Sequence, residues 1–341
     1  MYANEEKINK LFLYWLVISL ILVFSIIIIG GLTRLTDSGL SITEWELFIG
    51  VIPPLNEETW IAYFEAYKKI PQYKYLNFDM TIEQFKIIFY WEYFHRILAR
   101  FIGLFFLIPL VYFYFTKKIN IDYLKTSLFI FTLIVLQGII GWYMVKSGLT
   151  NDITVSHYRL SIHLITAILI ISSIFWLIKN FINGTNVSFF YFSKKNIIFQ
   201  FFIFLIFIQI IIGALVSGLD AGRIYQTWPL MGETYFPSDS NFITFDDITN
   251  LDNHSLVQFY HRNLAYMISL YGFLLALYIY KNNISELFKS INILLSILIL
   301  QIILGIYTLV SGLNLYFASL HQITSVLLVL SALNLYYFKA K

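Results

Sequence analysis

The sequence predicts an all-α integral membrane protein with eight transmembrane helices, arranged as two repeat-related four-helix bundles. Three observations carry this reading. Of the 341 residues, 59% are hydrophobic and only 13% are charged, against about 45–50% and 25% in an ordinary soluble domain. Eight apolar runs reach the length of about 20 residues that a helix needs to cross a bilayer. The second half of the chain repeats the first. A mean hydropathy of +0.73 excludes a soluble enzyme and a disordered chain, and a net charge of +3 is too small to point to a polyanionic partner such as nucleic acid.

The apolar runs fall at about residues 11–32, 95–115, 124–145, 158–178, 198–219, 257–280, 291–310 and 317–338. The first is too long for the apolar core of a signal peptide, and no small-residue cleavage site follows it. No transit peptide precedes it, which favours a bacterial membrane. Orientation follows from the basic residues of the short connections. Lys7, Lys10, Lys117, Lys118, Lys125, Lys179, Lys194, Lys195, Lys281, Lys289, Lys339 and Lys341 lie at the termini and after even-numbered helices, with only four acids: Glu5, Glu6, Asp122 and Glu286. The remaining sixteen acids lie on the opposite side. Both termini are therefore expected in the cytoplasm, with long loops at 33–94 and 220–256 facing outward.

The repeat divides the chain into an N-terminal bundle, 1–190, and a C-terminal bundle, 191–341. Glu92-Tyr-Phe-His95-Arg96 recurs as Gln258-Phe-Tyr-His261-Arg262, Gln137 with Gly141 recurs as Gln301 with Gly305, and His163 recurs as His321. Gly30, Asp37, Gly39 and Trp45 match Gly213, Asp220, Gly222 and Trp228 at a constant offset of 183. All four odd-numbered spans end in Ser-Gly-Leu, at 38–40, 147–149, 217–219 and 311–313; a glycine there reads as a helix cap. Gln137 and Gln301, inside spans, read as interhelical hydrogen-bond donors.

With no cysteine in the chain, disulfides, zinc–thiolate sites, iron–sulfur clusters and thioether-linked haem are excluded. Metal chemistry falls to histidine, methionine, tyrosine or carboxylates. Of six histidines, four form two equivalent pairs: His95 with His163, and His261 with His321. His95 opens its span and His163 lies about five residues into its own, at comparable depth. A lone histidine at such a position is ordinarily a polar residue on a packed face. Two pairs kept in both copies of a repeat favour two imidazoles facing each other across a porphyrin. His157 and His254 have no repeat counterparts, sit at a helix entry and in an outer loop, and read as structural.

The halves differ where Glu92 of the first stands opposite Gln258 of the second. Residues three apart share a helix face, so Glu92 points toward whatever His95 binds, where a carboxylate can relay protons or stabilise positive charge; a plain ion pair with Arg96 at i+4 is the competing account. This suggests a reactive site in the first half and a redox haem in the second. Trp60, Phe64 and Tyr67 form an aromatic face expected to lie on the membrane surface. Thr81-Ile-Glu-Gln84 reads as a capping box opening a helix that runs into the second span. Arg34, Arg96, Arg100, Arg159, Arg223 and Arg262 are candidate partners for haem propionates, since arginine offers carboxylates a bidentate fork.

Gly30-Gly-Leu-Thr-Arg34-Leu-Thr-Asp-Ser-Gly-Leu40, Gly50-Val-Ile-Pro-Pro-Leu55, the two His-Arg motifs and both later histidines together resemble the haem A synthase family of cytochrome oxidase assembly, over nearly the whole chain. The absence of cysteine matches the proteobacterial and mitochondrial branch, which lacks an outer-loop cysteine pair. The resemblance implies oxidation of the C8 methyl of haem O to a formyl group, giving haem A. It places haem b as cofactor on His261 and His321, and the substrate haem on His95 and His163 with Glu92 beside it as the acidic residue. The expected partners are haem O, membrane lipid, a haem O synthase and an electron donor of ferredoxin-like or quinol type; no nucleic acid is expected, and a homo-oligomer is left open. The expected location is the bacterial inner membrane, with the histidine sites toward its outer face. A diheme b-type electron-transfer cytochrome is the alternative that the same histidine pairs permit, and a haem transporter a more distant one.

Overall fold

The computed structural model describes residues 2–44, 49–150, 153–188, 196–239 and 244–340. Trp45, Lys194, Lys195 and Lys341 lie outside the described residues, as do the side chains of Glu5, Glu6 and Lys7. Among the described residues, eight helices are long and apolar enough to cross a membrane: α1 (Tyr2–Leu35), α4 (Ile82–Thr116), α5 (Ile121–Gly148), α6 (His157–Asn183), α7 (Ile197–Gly218), α9 (His254–Lys281), α10 (Phe288–Val310) and α11 (Leu315–Ala340). Shorter helices lie in the two long connections: α2 (Glu57–Tyr67), α3 (Pro71–Tyr75) and α8 (Phe245–Thr249). No strand occurs among the described residues. The expectation of an all-helical, multi-pass membrane protein holds.

The chain forms two compact units, residues 1–163 and 164–341. In the first, α4 packs against α1, α5 and α2. In the second, α7 packs on α9 and α11, while α10 packs on α11 and α9. The division falls inside α6, between His163 and Leu164, whereas the sequence repeat divides the chain between α6 and α7.

Helix α4 begins thirteen residues before His95. Thr81 closes the predicted capping box: its backbone N–H donates to Gln84 Oε1 at 2.9 Å, and the Gln84 N–H donates back to Thr81 Oγ1. These bonds satisfy two of the N–H groups that a helix start leaves open. His95 is thus a mid-helix residue and does not open its helix. His254, expected in a loop, is the first residue of α9.

The aromatic face of α2 is not laid out on a surface. Trp60, Phe64 and Tyr67 are buried against Phe85, Ile88 and Phe89 of α4, together with Leu40 and Ile42. Phe64 and Tyr67 stack at a tilt on Phe85, with ring centres 5.1 and 5.2 Å away, and Trp60 meets Phe89 edge-on at 5.0 Å. Aromatic burial of this kind contributes about 1.5–3 kcal/mol per side chain, more than an interface could return to the same rings. The spacing i, i+4, i+7 marks an apolar helical face correctly, but the cover it finds is the protein's own helix extension.

The glycine of Ser-Gly-Leu caps only one span in the expected left-handed conformation. Gly312, after α10, has φ of 69°. After α1 and α7 that conformation is taken by the repeat-related Asp37 and Asp220, with φ of 51° and 50°. Gly148 instead ends α5 as a helical residue against Leu40, with 3.1 Å left between an added Cβ and the leucine methyl. Aspartate tolerates the left-handed region better than most side chains, so the cap there needs no glycine.

The buried Tyr67 hydroxyl donates to Gln72 Oε1 at 3.0 Å and accepts from Asn77 Nδ2 at 2.7 Å. Burial pushes this phenol up to about 12 from an ordinary 10. The folded state therefore holds its proton where an unfolded chain releases it. The packing of α2 on α4 should be fully stable below pH 10 and weaken as pH rises toward 12. Tyr67→Phe should remove that dependence, read as the pH profile of proteolytic nicking between residues 56 and 81. Phe85→Ala, at the centre of the same cluster, should cost about 3–5 kcal/mol, measured by thermal unfolding in detergent.

Candidate haem site

The four repeat-related histidines share one mode of seating. Each imidazole lies against a glycine of another spanning helix: His95 of α4 on Gly30 of α1, His163 of α6 on Gly141 of α5, His261 of α9 on Gly213 of α7, and His321 of α11 on Gly305 of α10. A Cβ built on these glycines would stand 3.1, 3.0, 3.0 and 2.9 Å from the facing ring atoms. The glycines are themselves repeat pairs, Gly30 with Gly213 and Gly141 with Gly305. Any other residue at these positions would fill the space that the ring occupies.

Three of the rings are also held by glutamine. Gln137 Nε2 donates to the main-chain carbonyl of His163 at 3.0 Å and lies 3.2 Å from its ring Nε2. Gln209 does the same for His261, at 2.9 and 3.4 Å. Gln301 Nε2 is 3.4 Å from His321 Nε2, while its main-chain carbonyl lies 3.2 Å from His321 Nδ1, and Thr324 donates to its side-chain oxygen. Gln137 and Gln301 were legible as interhelical donors. Gln209 was not singled out, although the Gln-x-x-x-Gly spacing that it shares with the other two was there to find.

The His261 and His321 rings stand with centres 6.4 Å apart and planes at 77°. Two imidazoles sharing one metal at about 2 Å per bond stand roughly 6 Å apart, centre to centre. His95 and His163 are close enough to interact electrostatically. The Nδ1 atoms of His163 and His261 are buried without a hydrogen-bond partner, and a buried polar atom left open asks for a ligand or proton partner. The seated rings, the open Nδ1 atoms of His163 and His261, and the 6.4 Å separation of His261 and His321 fit a haem held by paired histidines. Among the described residues no cluster of three or more His, Asp or Glu offers an alternative metal site.

Glu92 is nearly enclosed, with 3% of its side chain exposed. One carboxylate oxygen accepts from Arg96 at 2.5 Å, and the other from Ser41 Oγ at 2.7 Å and the Ile42 N–H at 2.9 Å. Arg96 also donates to the Ile42 carbonyl at 3.1 Å. The competing ion-pair account of Glu92 is therefore present in the structure. The second half reproduces it with a changed polarity. Gln258 Nε2 and Arg262 both donate to the carbonyl of Tyr225, at 2.9 and 2.8 Å, and residue 225 is Ile42 displaced by 183. The first half offers the side chain an N–H and the second a C=O, and a carboxylate suits the one as an amide nitrogen suits the other.

The remaining candidate arginines have separate partners. Arg34 pairs with Asp37 at 2.8 Å, Arg100 donates to the Gly50 carbonyl at 3.2 Å, and Arg159 to Ser147 Oγ at 2.6 Å. Arg262 also donates to the carbonyls of Thr227 and Leu230. Arg223 is exposed. Arg96 and Arg100 line one cleft with Tyr63, Phe89 and Tyr93.

Eight spanning helices carrying two repeat-related pairs of glycine-seated histidines define a multi-pass helical membrane protein of the paired-histidine type. Residues 13–333 match the model of the cytochrome oxidase assembly protein family, and the chain belongs to that family. Curated relatives named Heme A synthase include those of Pelagibacter ubique, 44% identical over 94% of both chains, Rickettsia felis, 41% identical over 90% of this chain and 91% of the relative, and Brucella anthropi, 38% identical over 94% and 89%.

Gly213→Ala should overpack the His261 contact and cost about 1–3 kcal/mol. Gly103→Ala in α4, where nothing lies within 4 Å of an added Cβ, should instead stabilise by roughly 0.5–1 kcal/mol through helix propensity. Opposite shifts in the thermal midpoint would mark the difference.

Proposed function

We propose that this chain is a haem A synthase, oxidising the C8 methyl of haem O to a formyl group. The observation that carries the reading is the seating of four repeat-equivalent histidines against four glycines, in a chain of this family. In this reading His261 and His321 hold haem b, which when bound supplies one-electron chemistry. His95 and His163 hold haem O. The halves 1–190 and 191–341 then divide the work between substrate and cofactor.

The chain's own groups do the rest. Glu92 lies one turn from His95 on α4, and its carboxylate is fixed there by Arg96, Ser41 and the Ile42 N–H. A carboxylate so placed stabilises positive charge developing at the substrate methyl, or takes its proton. Arg96 and Arg100, together in one cleft, are the best placed of the six arginines to meet propionates, although the bond between Arg96 and Glu92 commits part of its fork. The membrane in this reading is a bacterial cytoplasmic one, and the charge asymmetry of the connections favours both termini inside and the histidine sites toward the outer face.

Acid–acetone extraction of the protein after co-expression with a haem O source, followed by chromatography and mass analysis, is the direct test. Haem b together with haem O, its hydroxylated form or haem A is the expected result. Haem b alone at two per chain would leave an electron-transfer cytochrome. Glu92→Gln should keep both haems bound and lose formyl formation. It should also cost about 1–3 kcal/mol, because the amide nitrogen would face a donor whichever oxygen it replaced, Arg96 on one side or Ser41 and the Ile42 N–H on the other.

A further inference from the structure

The chain leaving α1 and the chain leaving α7 follow one course. Asp37 and Asp220 take the left-handed conformation. Four residues on, the N–H of Ser41 donates to the Ser38 carbonyl and the N–H of Ile224 to the Ala221 carbonyl, both at 3.3 Å. Residue 224 is residue 41 displaced by 183, so the two turns superimpose in pattern but differ in side chain. Ser41 is buried and its hydroxyl meets Glu92 Oε2 at 2.7 Å. Ile224 is exposed and offers no polar atom. The consequence falls on Gln258, whose Oε1 is buried with no hydrogen-bond partner. A hydroxyl therefore stands at this turn where the helix carries a carboxylate, and is missing where it carries an amide.

The partners of Glu92 are not equivalent. Arg96 and the Ile42 N–H only donate, and can serve Glu92 whether or not it carries a proton, but neither can accept one from it. Tyr67 of α2 lies within electrostatic reach, and its hydroxyl is committed to Gln72 and Asn77. A hydroxyl both donates and accepts. Ser41 Oγ also lies 3.3 Å from the Ile88 carbonyl, which only accepts. Two arrangements are thus open without moving a heavy atom. With Glu92 ionised, the Ser41 proton points at Oε2. With Oε2 protonated, that O–H donates to Ser41 Oγ and the Ser41 proton turns to the Ile88 carbonyl. Among the described residues, no other partner of Glu92 gives its protonated form an acceptor.

We propose that Ser41 is a positioning residue that makes Glu92 a reversible proton acceptor: it holds the carboxylate as a donor, and receives the O–H once Glu92 has taken one proton from the substrate. This deepens the reading of Glu92 as the acidic group of a haem A synthase and rests on it. It chooses proton uptake over a fixed negative charge as the duty of that residue.

The full-length protein is co-expressed with a haem O source, and haem A formation is measured per bound haem. Ser41→Ala should retain both haems and form haem A about 10- to 100-fold more slowly, since the protonated carboxyl is left buried without an acceptor. Ser41→Thr, which keeps the hydroxyl, should restore most of the rate. The solvent deuterium isotope effect should be larger in Ser41→Ala than in the wild type, because proton transfer becomes the slow step; a purely structural lesion lowers the rate and leaves that effect alone. Wild-type turnover in Ser41→Ala would overturn the proposal, as would slow turnover with an unchanged isotope effect. Should Ser41→Ala lose its haems, the double variant Ser41→Ala/Glu92→Gln, which copies the second half, is expected to regain them, and its failure to do so would also overturn the proposal. No haem A from the wild type would sink the underlying synthase reading, and haem A from Glu92→Gln the role of Glu92, whereas an inactive Glu92→Gln beside a fully active Ser41→Ala sinks the role of Ser41 alone.

Discussion

Contact between an imidazole and a bare glycine backbone is the constraint on which the rest of this architecture depends. A ring brought to within about 3 Å of the place where a Cβ would stand can be accommodated only where two helices approach closely and one lacks a side chain. That condition is met four times, at Gly30, Gly141, Gly213 and Gly305. It sets which helix faces which, α1 to α4, α7 to α9 and α10 to α11, and it brings His163 against Gly141 of α5. Apolar helices in lipid gain little from burying one another, since lipid tails are as apolar as leucine. Small residues and buried polar groups therefore carry the specificity, and here the same glycines that let helices meet also aim the histidines.

The second level of organisation is the tie between each long connection and its histidine helix. Glu92 with Arg96, and Gln258 with Arg262, grip the same point of a repeated loop, at Ile42 and Tyr225. The grip is common to both halves and is a structural duty whatever chemistry Glu92 also performs. The residue type follows the loop: a carboxylate where the loop presents an N–H, an amide where it presents a C=O.

Much of this was legible in the sequence. Apolar runs of bilayer length placed all eight spans, because lipid demands internally satisfied backbone over a fixed thickness. The repeat identified the four histidines, and the Thr-x-x-Gln spacing the capping box at Thr81. What failed were inferences about where a correctly identified feature goes. The stripe Trp60, Phe64 and Tyr67 marks an apolar face, but sequence does not say whether lipid or the extension of α4 covers it. Ser-Gly-Leu marks helix ends, yet the left-handed residue is Asp37 or Asp220 at two of them. Ion-pair geometry decides the surroundings of Glu92, and the partners Ser41 and Ile42 lie about fifty residues away. Gln209 escaped because its counterpart, Ile26, breaks the repeat at the place where the halves differ.

Helix α4 runs unbroken from Ile82 through His95 to Thr116. Its first thirteen residues, about 20 Å at 1.5 Å per residue, carry the aromatic cluster, and the same rod carries Glu92 and His95. A connection of this length would ordinarily tolerate insertions at its exposed parts. Between Ile82 and His95 one added residue turns everything on its near side by about 100° relative to the histidine. The phase of the rod is therefore fixed at both ends, by the rings of α2 on one side and by Gly30 on the other. The count of residues between Phe85 and His95 is as much a part of the site as the residues themselves.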